Sequence, residues 1–181
     1  REATMDYPVW NIDIIGTPWI VGITAILHVF ISHFAVGGGA YLYFTERKAL
    51  RENDEGIRQH VKRYTKFFYY LTTVFGAVTG VGIWFAIGLA SAPGTSTLIH
   101  AFVWFWAIEW VFFAAEIATI MVYYYTWDRI SPRRHVQLAG LYFLVSVMTL
   151  FIINGILTFM LTPGTYLETG NVWAGFFNPT Y

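Results

Sequence analysis

The sequence predicts an all-α, polytopic membrane protein: a four-transmembrane-helix bundle with both termini on the outer, periplasmic side. Three observations predict it. The 181 residues are 56% hydrophobic and 12% charged, whereas a soluble domain is about 25% charged. The apolar residues gather into four runs, each long enough for a bilayer core of about 30 Å, which takes about 20 helical residues to cross. Ten of the eleven basic residues fall in the connectors on one side, and that asymmetry predicts a cytoplasmic location for those connectors. The runs lack the alternation of barrel strands, so helices are the way their backbone is satisfied in lipid. The chain reads as a single membrane domain over residues 1–181.

The first span runs from about Thr17 to Phe44, with Pro18 suited to a first helical turn. Trp10 and Trp19 stand where an outer aromatic belt is expected, as does Trp173, and Trp127 stands at the inner face. The connector Glu46–Lys66 is basic, and its stretch Arg51–Arg63 is polar enough for a short surface helix or a loop. The second span, about Phe67 to Ala90, carries Gly76, Gly80, Gly82 and Gly88; with Gly37-Gly38-Gly39 in the first span, these glycines fit either close helix packing or room for a flat cofactor. Pro93-Gly94 marks a turn into the third span, about Leu98 to Tyr125. Ser131-Pro132 marks the next, where Asp128 and Arg129 are expected to pair. The fourth span, about Leu138 to Leu161, ends at Pro163-Gly164, and the outer tail 165–181 reads as a loop packed on the bundle or a leader into further chain. The first residue is not Met, as in a processed chain or a piece of a longer one.

Several functions are excluded. Eleven basic against eleven acidic residues leave no positive field for nucleic acid. The chain has no cysteine, which removes disulfides, thiolate chemistry, covalent c-type haem and Cys-ligated clusters. No phosphate-binding loop, zinc motif or hydrolase elbow is present.

The informative residues are the ionisable ones inside spans, because a buried carboxylate costs several kcal/mol unless it is paired, protonated or in a polar cavity. They are His28, His33, Glu109 and Glu116, with Asn154 as a neutral companion. At 1.5 Å per residue, His28 lies about 15 Å below the outer face, His33 about 22 Å, Glu109 about 16 Å, Glu116 about 27 Å and Asn154 about 12 Å. His28, Glu109 and Asn154 are therefore expected at one level and at one interior site. Glu109 and Glu116 are seven residues apart and share a helix face. His28, in the apolar stretch Ile26–Phe30, fits three roles: an axial haem ligand, a partner of Glu109 without any cofactor, or a proton relay. Glu116 fits pairing with Arg or Lys at the inner face, or a carboxylate step towards Glu109. Trp106 fits helix packing or the edge of a haem or quinone.

These residues also carry a resemblance. Gly22-Ile23-Thr24-Ala25-Ile26-Leu27-His28, Phe75-Gly76-Ala77-Val78-Thr79-Gly80, Ala107-Ile108-Glu109 with Phe112-Phe113-Ala114-Ala115-Glu116, Trp127-Asp128-Arg129 with His135, Asn154, Thr162-Pro163 and Phe177-Asn178-Pro179 occur in this order. Together they resemble the N-terminal four-helix part of subunit I of the cytochrome bd quinol oxidase family. The resemblance implies haem b or haem d, with His28 as iron ligand and with His33, Glu109, Trp106 and Asn154 around the haem. It implies catalytic carboxylates at Glu109 and Glu116, acting in haem contact and proton delivery. The remaining haem ligands and the quinol-binding loop of that family lie in later segments, so the chain looks like a shortened, split or fragmentary relative. Two departures stand out: the glutamates are seven apart where the family spaces them eight, and His33 falls where the family commonly has proline.

The expected function is a haem-binding membrane subunit of a respiratory electron-transfer complex, with quinol oxidation coupled to oxygen reduction or to onward electron transfer. The alternative is a haem-free anchor subunit with no cofactor; a transporter is disfavoured by the lack of an inverted repeat. Expected partners are other membrane subunits, cytochrome c or quinone-reactive proteins, and the lipid bilayer. The expected location is the cytoplasmic membrane of a bacterium or archaeon.

Overall fold

The computed structural model describes residues 10, 12–14 and 16–177. Arg1 and the Asn178-Pro179 pair lie outside the described residues. Every regular element among those described is helical: α1 (Thr17–Glu52), α2 (Glu55–Tyr70), a π-helical turn (Leu71–Gly76), α3 (Ala77–Ala90), α4 (Ala92–Ala101), α5 (Val103–Tyr125), α6 (Pro132–Leu161), α7 (Tyr166–Thr169) and α8 (Val172–Phe176). The π turn joins α2 and α3 into one continuous helix, so four helices are long and apolar enough to cross a membrane.

Helix α6 is the spine. It packs against α1 on one side and α5 on the other, while α3 packs on α1. Its buried positions His135, Ala139, Tyr142 and Ser146 recur every three or four residues, which is one helical stripe. Tyr142 sits at the centre: its ring lies edge-on to Phe68 of α2 at 5.7 Å. Glycines let the helices close on these rings. A Cβ on Gly38 would stand 2.3 Å from Phe68, and one on Gly39 would stand 2.8 Å from Tyr142. Close packing therefore accounts for these two glycines.

The basic connector departs from its expectation. Helices α1 and α2 run on beyond the apolar spans and leave only Asn53 and Asp54 between them. Asn53 takes the left-handed conformation that ends α1, and the Asp54 carboxylate accepts from Ile57 N at 3.0 Å to start α2. Val61, Thr65 and Phe68 are buried along one face of α2, and that face repays continuing the helix. At the next turn, Asp128 pairs with Arg58 (2.6 Å) and Lys62 of α2 rather than with Arg129. Trp127 is buried against His135 and Tyr123 instead of standing in an interfacial belt, whereas Trp19 and Trp173 are exposed.

The third expected span is broken. Phe102 leaves helical geometry and is fully buried with Ile156, Phe159 and Phe176. That burial separates α4 from α5. Phe176 reaches this cluster because α8 packs back on α6 at Gly155, where a Cβ would stand 2.2 Å from the Phe176 ring.

Two outcomes follow from this packing. Gly38→Val should destabilise the detergent-solubilised protein by about 1–3 kcal/mol, because the Phe68 ring it meets is fully buried. Gly37→Val, with nothing within 4 Å, should leave the thermal midpoint unchanged. The Lys62 hydrogen bond, followed by that of Arg58, holds the Asp128 carboxyl below its ordinary range. Its contribution to stability is therefore complete above about pH 4 and is lost as pH falls through the lowered value. Melting curves of wild type and Asp128→Asn should differ at neutral pH, converge in acid, and approach each other with added salt.

Candidate functional site

His28 lies on α1 and faces α3. Its Nδ1 is 3.0 Å from Thr79 Oγ1, and its ring rests beside Gly80, where a Cβ would stand 3.1 Å from Cε1. The Thr79 hydroxyl donates its own proton to Phe75 O at 2.8 Å, one turn back and inside the π segment. In the tautomer that carries its proton on Nδ1, His28 donates to Thr79 Oγ1. That tautomer places the lone pair on Nε2, and the ring also stands against the Gly76 backbone. An imidazole fixed in this tautomer by a polar neighbour is the arrangement that ligates iron through its second nitrogen. The His28 side chain thus has the chemistry that could hold a haem iron. No cluster of three or more His, Asp and Glu side chains able to hold a bare metal ion occurs among the described residues.

The carboxylates stand elsewhere. Glu109 and Glu116 lie on α5, which packs mainly on α6, whereas His28 faces α3. Glu116 accepts from Tyr142 Oη at 3.3 Å and pairs with no Arg or Lys among the described residues. Glu109 is half-buried and has no hydrogen-bond partner among the described residues. The expected single site shared by His28, Glu109 and Asn154 is not formed by direct contact: equal depth does not fix which way each side chain faces on its helix. His28 binds Thr79 instead. The Asn154 residue is exposed, beside the buried Gly155 and Ile156. His33 is exposed and its Nδ1 bonds to Val29 O of its own helix at 2.9 Å. Trp106 packs edge-on against Trp84 of α3 at 5.0 Å and donates to Leu98 O at 3.3 Å.

A third polar group emerges at the basic end. Glu46 is 4% exposed, accepts from Tyr123 Oη at 2.7 Å, and lies 2.6 Å from His135 Nδ1. His135 Nε2 faces Tyr123 O at 2.9 Å. Both imidazole nitrogens face oxygens, so Glu46, His135 and Tyr123 form one buried hydrogen-bonded group. Tyr123 lies seven residues beyond Glu116 on the same α5 face, as Glu116 lies seven beyond Glu109. A polar stripe therefore runs along α5 from Glu109 through Glu116 to the Tyr123–Glu46–His135 group, in steps of about 10 Å. The sequence carried a signal for Glu46: Gly38, Gly39, Leu42, Glu46 and Ala49 form one buried stripe of α1. The surrounding basic residues hid it by making Glu46 look solvated.

Residues 18–181 match the family model described as cytochrome bd terminal oxidase subunit I. Among solved structures, the bd oxidase from Geobacillus thermodenitrificans is similar to this chain with a TM-score of 0.78 and 24% identity. The similarity covers 90% of this chain and 39% of that one, so the chain spans well under half of its relative's length. The likeness at that identity is one of fold. No curated protein matches the chain.

Removing one member of a buried hydrogen-bonded group leaves its partners unsatisfied. Glu46→Ala should cost about 1–3 kcal/mol in thermal or denaturant unfolding of the solubilised protein. The double variant Glu46→Leu with His135→Leu should recover part of that loss, because fewer buried polar groups are then left without a partner.

Proposed function

The chain belongs to the cytochrome bd terminal oxidase subunit I family, and from that premise we propose that it is a haem-binding part of a respiratory quinol oxidase in a bacterial cytoplasmic membrane. The observation that supports the haem assignment is the setting of His28: its Nδ1 lies 3.0 Å from the Thr79 hydroxyl and its ring rests beside Gly80. His28 Nε2 would ligate the iron of a haem b or haem d. Thr79 orients the ring, and Gly80 lets it lie close to α3. The bound haem would supply one-electron transfer and the reduction of oxygen. His33, Trp106 and Asn154 belong to the proposed surroundings of the haem in the complete subunit.

The protein's other task is to bring protons to that region. Glu109 and Glu116 hold and pass protons along α5, and Tyr142 steadies Glu116 through its hydroxyl. The orientation in which ten of eleven basic residues are cytoplasmic puts both termini outside and gives the stripe its inner end at Tyr123. Further membrane segments or subunits complete the enzyme, supply the remaining haem ligands and receive electrons from quinol.

Reduced-minus-oxidised spectra and pyridine haemochrome analysis of the purified complex test this reading. His28→Ala should remove a Soret contribution together with its share of iron. Thr79→Val should keep the ligand but loosen it, with a haem affinity about 10–100-fold weaker. A His28→Ala complex with an unaltered spectrum and iron content would remove His28 from the site.

A further inference from the structure

We propose that the groove between α1 and α6 at the basic end binds the phosphodiester headgroup of an anionic phospholipid. The groove has a volume of about 730 Å³ and is lined by Tyr43, Arg47 and Arg51 of α1 and by Arg133, Gln137 and Gly140 of α6. No carboxylate lines it. This inference stands apart from the haem assignment.

The charge at this end is unevenly spent. Arg58 and Lys62 pair with Asp128, and Lys48 pairs with Glu52. Glu46, next to Arg47 in sequence, is turned inward to His135 and Tyr123. Arg47, Arg51 and Arg133 are left without a carboxylate partner among the described residues, and all three line the same groove. Arginine presents a planar fork of donors that matches a phosphate, and it does so with less hydration to lose than an ammonium.

The groove is also built. Gly140 allows the Tyr43 ring to lie on α6, where a Cβ would stand 3.0 Å from Cε2. Arg47 Nη1 donates to Tyr43 Oη at 3.3 Å, and the guanidinium lies 5.9 Å from the ring centroid. That contact holds one arginine at the groove before any ligand arrives. Gln137 adds a neutral donor, and Leu50 and Val136 add apolar wall. One helical turn deeper, Phe44 and Leu144 are exposed, at 57% and 56%. A lipid whose headgroup fills the groove can lay its acyl chains on that surface. Basic pockets between transmembrane helices at the interface have the chemistry for such headgroups.

The purified complex carrying this chain, stripped of loosely held lipid and placed in phosphatidylcholine nanodiscs containing fluorescent phosphatidylglycerol, gives the measurement. Wild type should retain phosphatidylglycerol in preference to phosphatidylcholine. Arg51→Gln should weaken retention about fivefold, and the triple variant Arg47→Gln, Arg51→Gln, Arg133→Gln about a hundredfold. Arg63→Gln, outside the groove, should leave retention unchanged, and the triple Lys variant should restore part of it. Unchanged haem content and melting in Arg51→Gln would keep its weakened retention interpretable. Equal retention of the two lipids, or a triple variant that binds like wild type, would overturn the proposal. Displacement of the lipid by millimolar inorganic phosphate would overturn the lipid assignment in favour of a free-phosphate site. Cross-linking of the groove to another polypeptide segment in the intact complex would show protein there and overturn it as well.

Discussion

A carboxylate taken out of water must find hydrogen-bond donors or a counter-charge, and for Glu46 and Glu116 this bundle supplies donors from α6 and from residues held beside it. Tyr142 donates to Glu116. His135 and Tyr123 close on Glu46. Both α6 residues lie on the stripe that packs against α1 and α5, so polar satisfaction and helix packing are performed by the same side chains. The glycines of α1 belong to this arrangement: without Gly39 the Tyr142 ring could not lie where it does. The spine of the fold is also the place where its deep carboxylates are made tolerable.

The two functional regions follow from that spine. Because His28 faces α3 and Glu116 faces α6, they do not share one pocket by contact. His28 looks to α3, where a π-helical turn, a threonine and a glycine seat its ring. The π turn matters locally: it ends at Gly76, and Thr79 reaches back from α3 to the carbonyl of Phe75 within it. Such turns favour sites where a helix must present a side chain out of ordinary register. The glutamates form a separate stripe that runs towards the basic end.

Periodicity exposed much of this and concealed specific parts. The four spans, the sided charge, and the shared face of Glu109 and Glu116 follow from counting residues. The buried Glu46–His135 pair did not emerge, because hydropathy treats a glutamate and a histidine in a basic stretch as solvated. Asp128 was legible as an ion-pair partner and misread as to which one, since Arg129 is nearer in sequence while Arg58 and Lys62 are nearer in space. Trp127 was misread for a related reason: composition places tryptophan at an interface, and only the neighbouring rings reveal its burial.

The sequence by itself determined that the chain crosses a membrane four times as helices, since a backbone in lipid has few other ways to satisfy its amides and the apolar runs have the required length. It also determined which side chains would be costly at depth. Tertiary structure alone decided how each was satisfied, because hydrogen bonds at 2.6–3.3 Å depend on which helices are neighbours and how they are rotated. Hydropathy is a sum along one chain, whereas neighbourhood is set by rings and glycines fitting together across several helices at once.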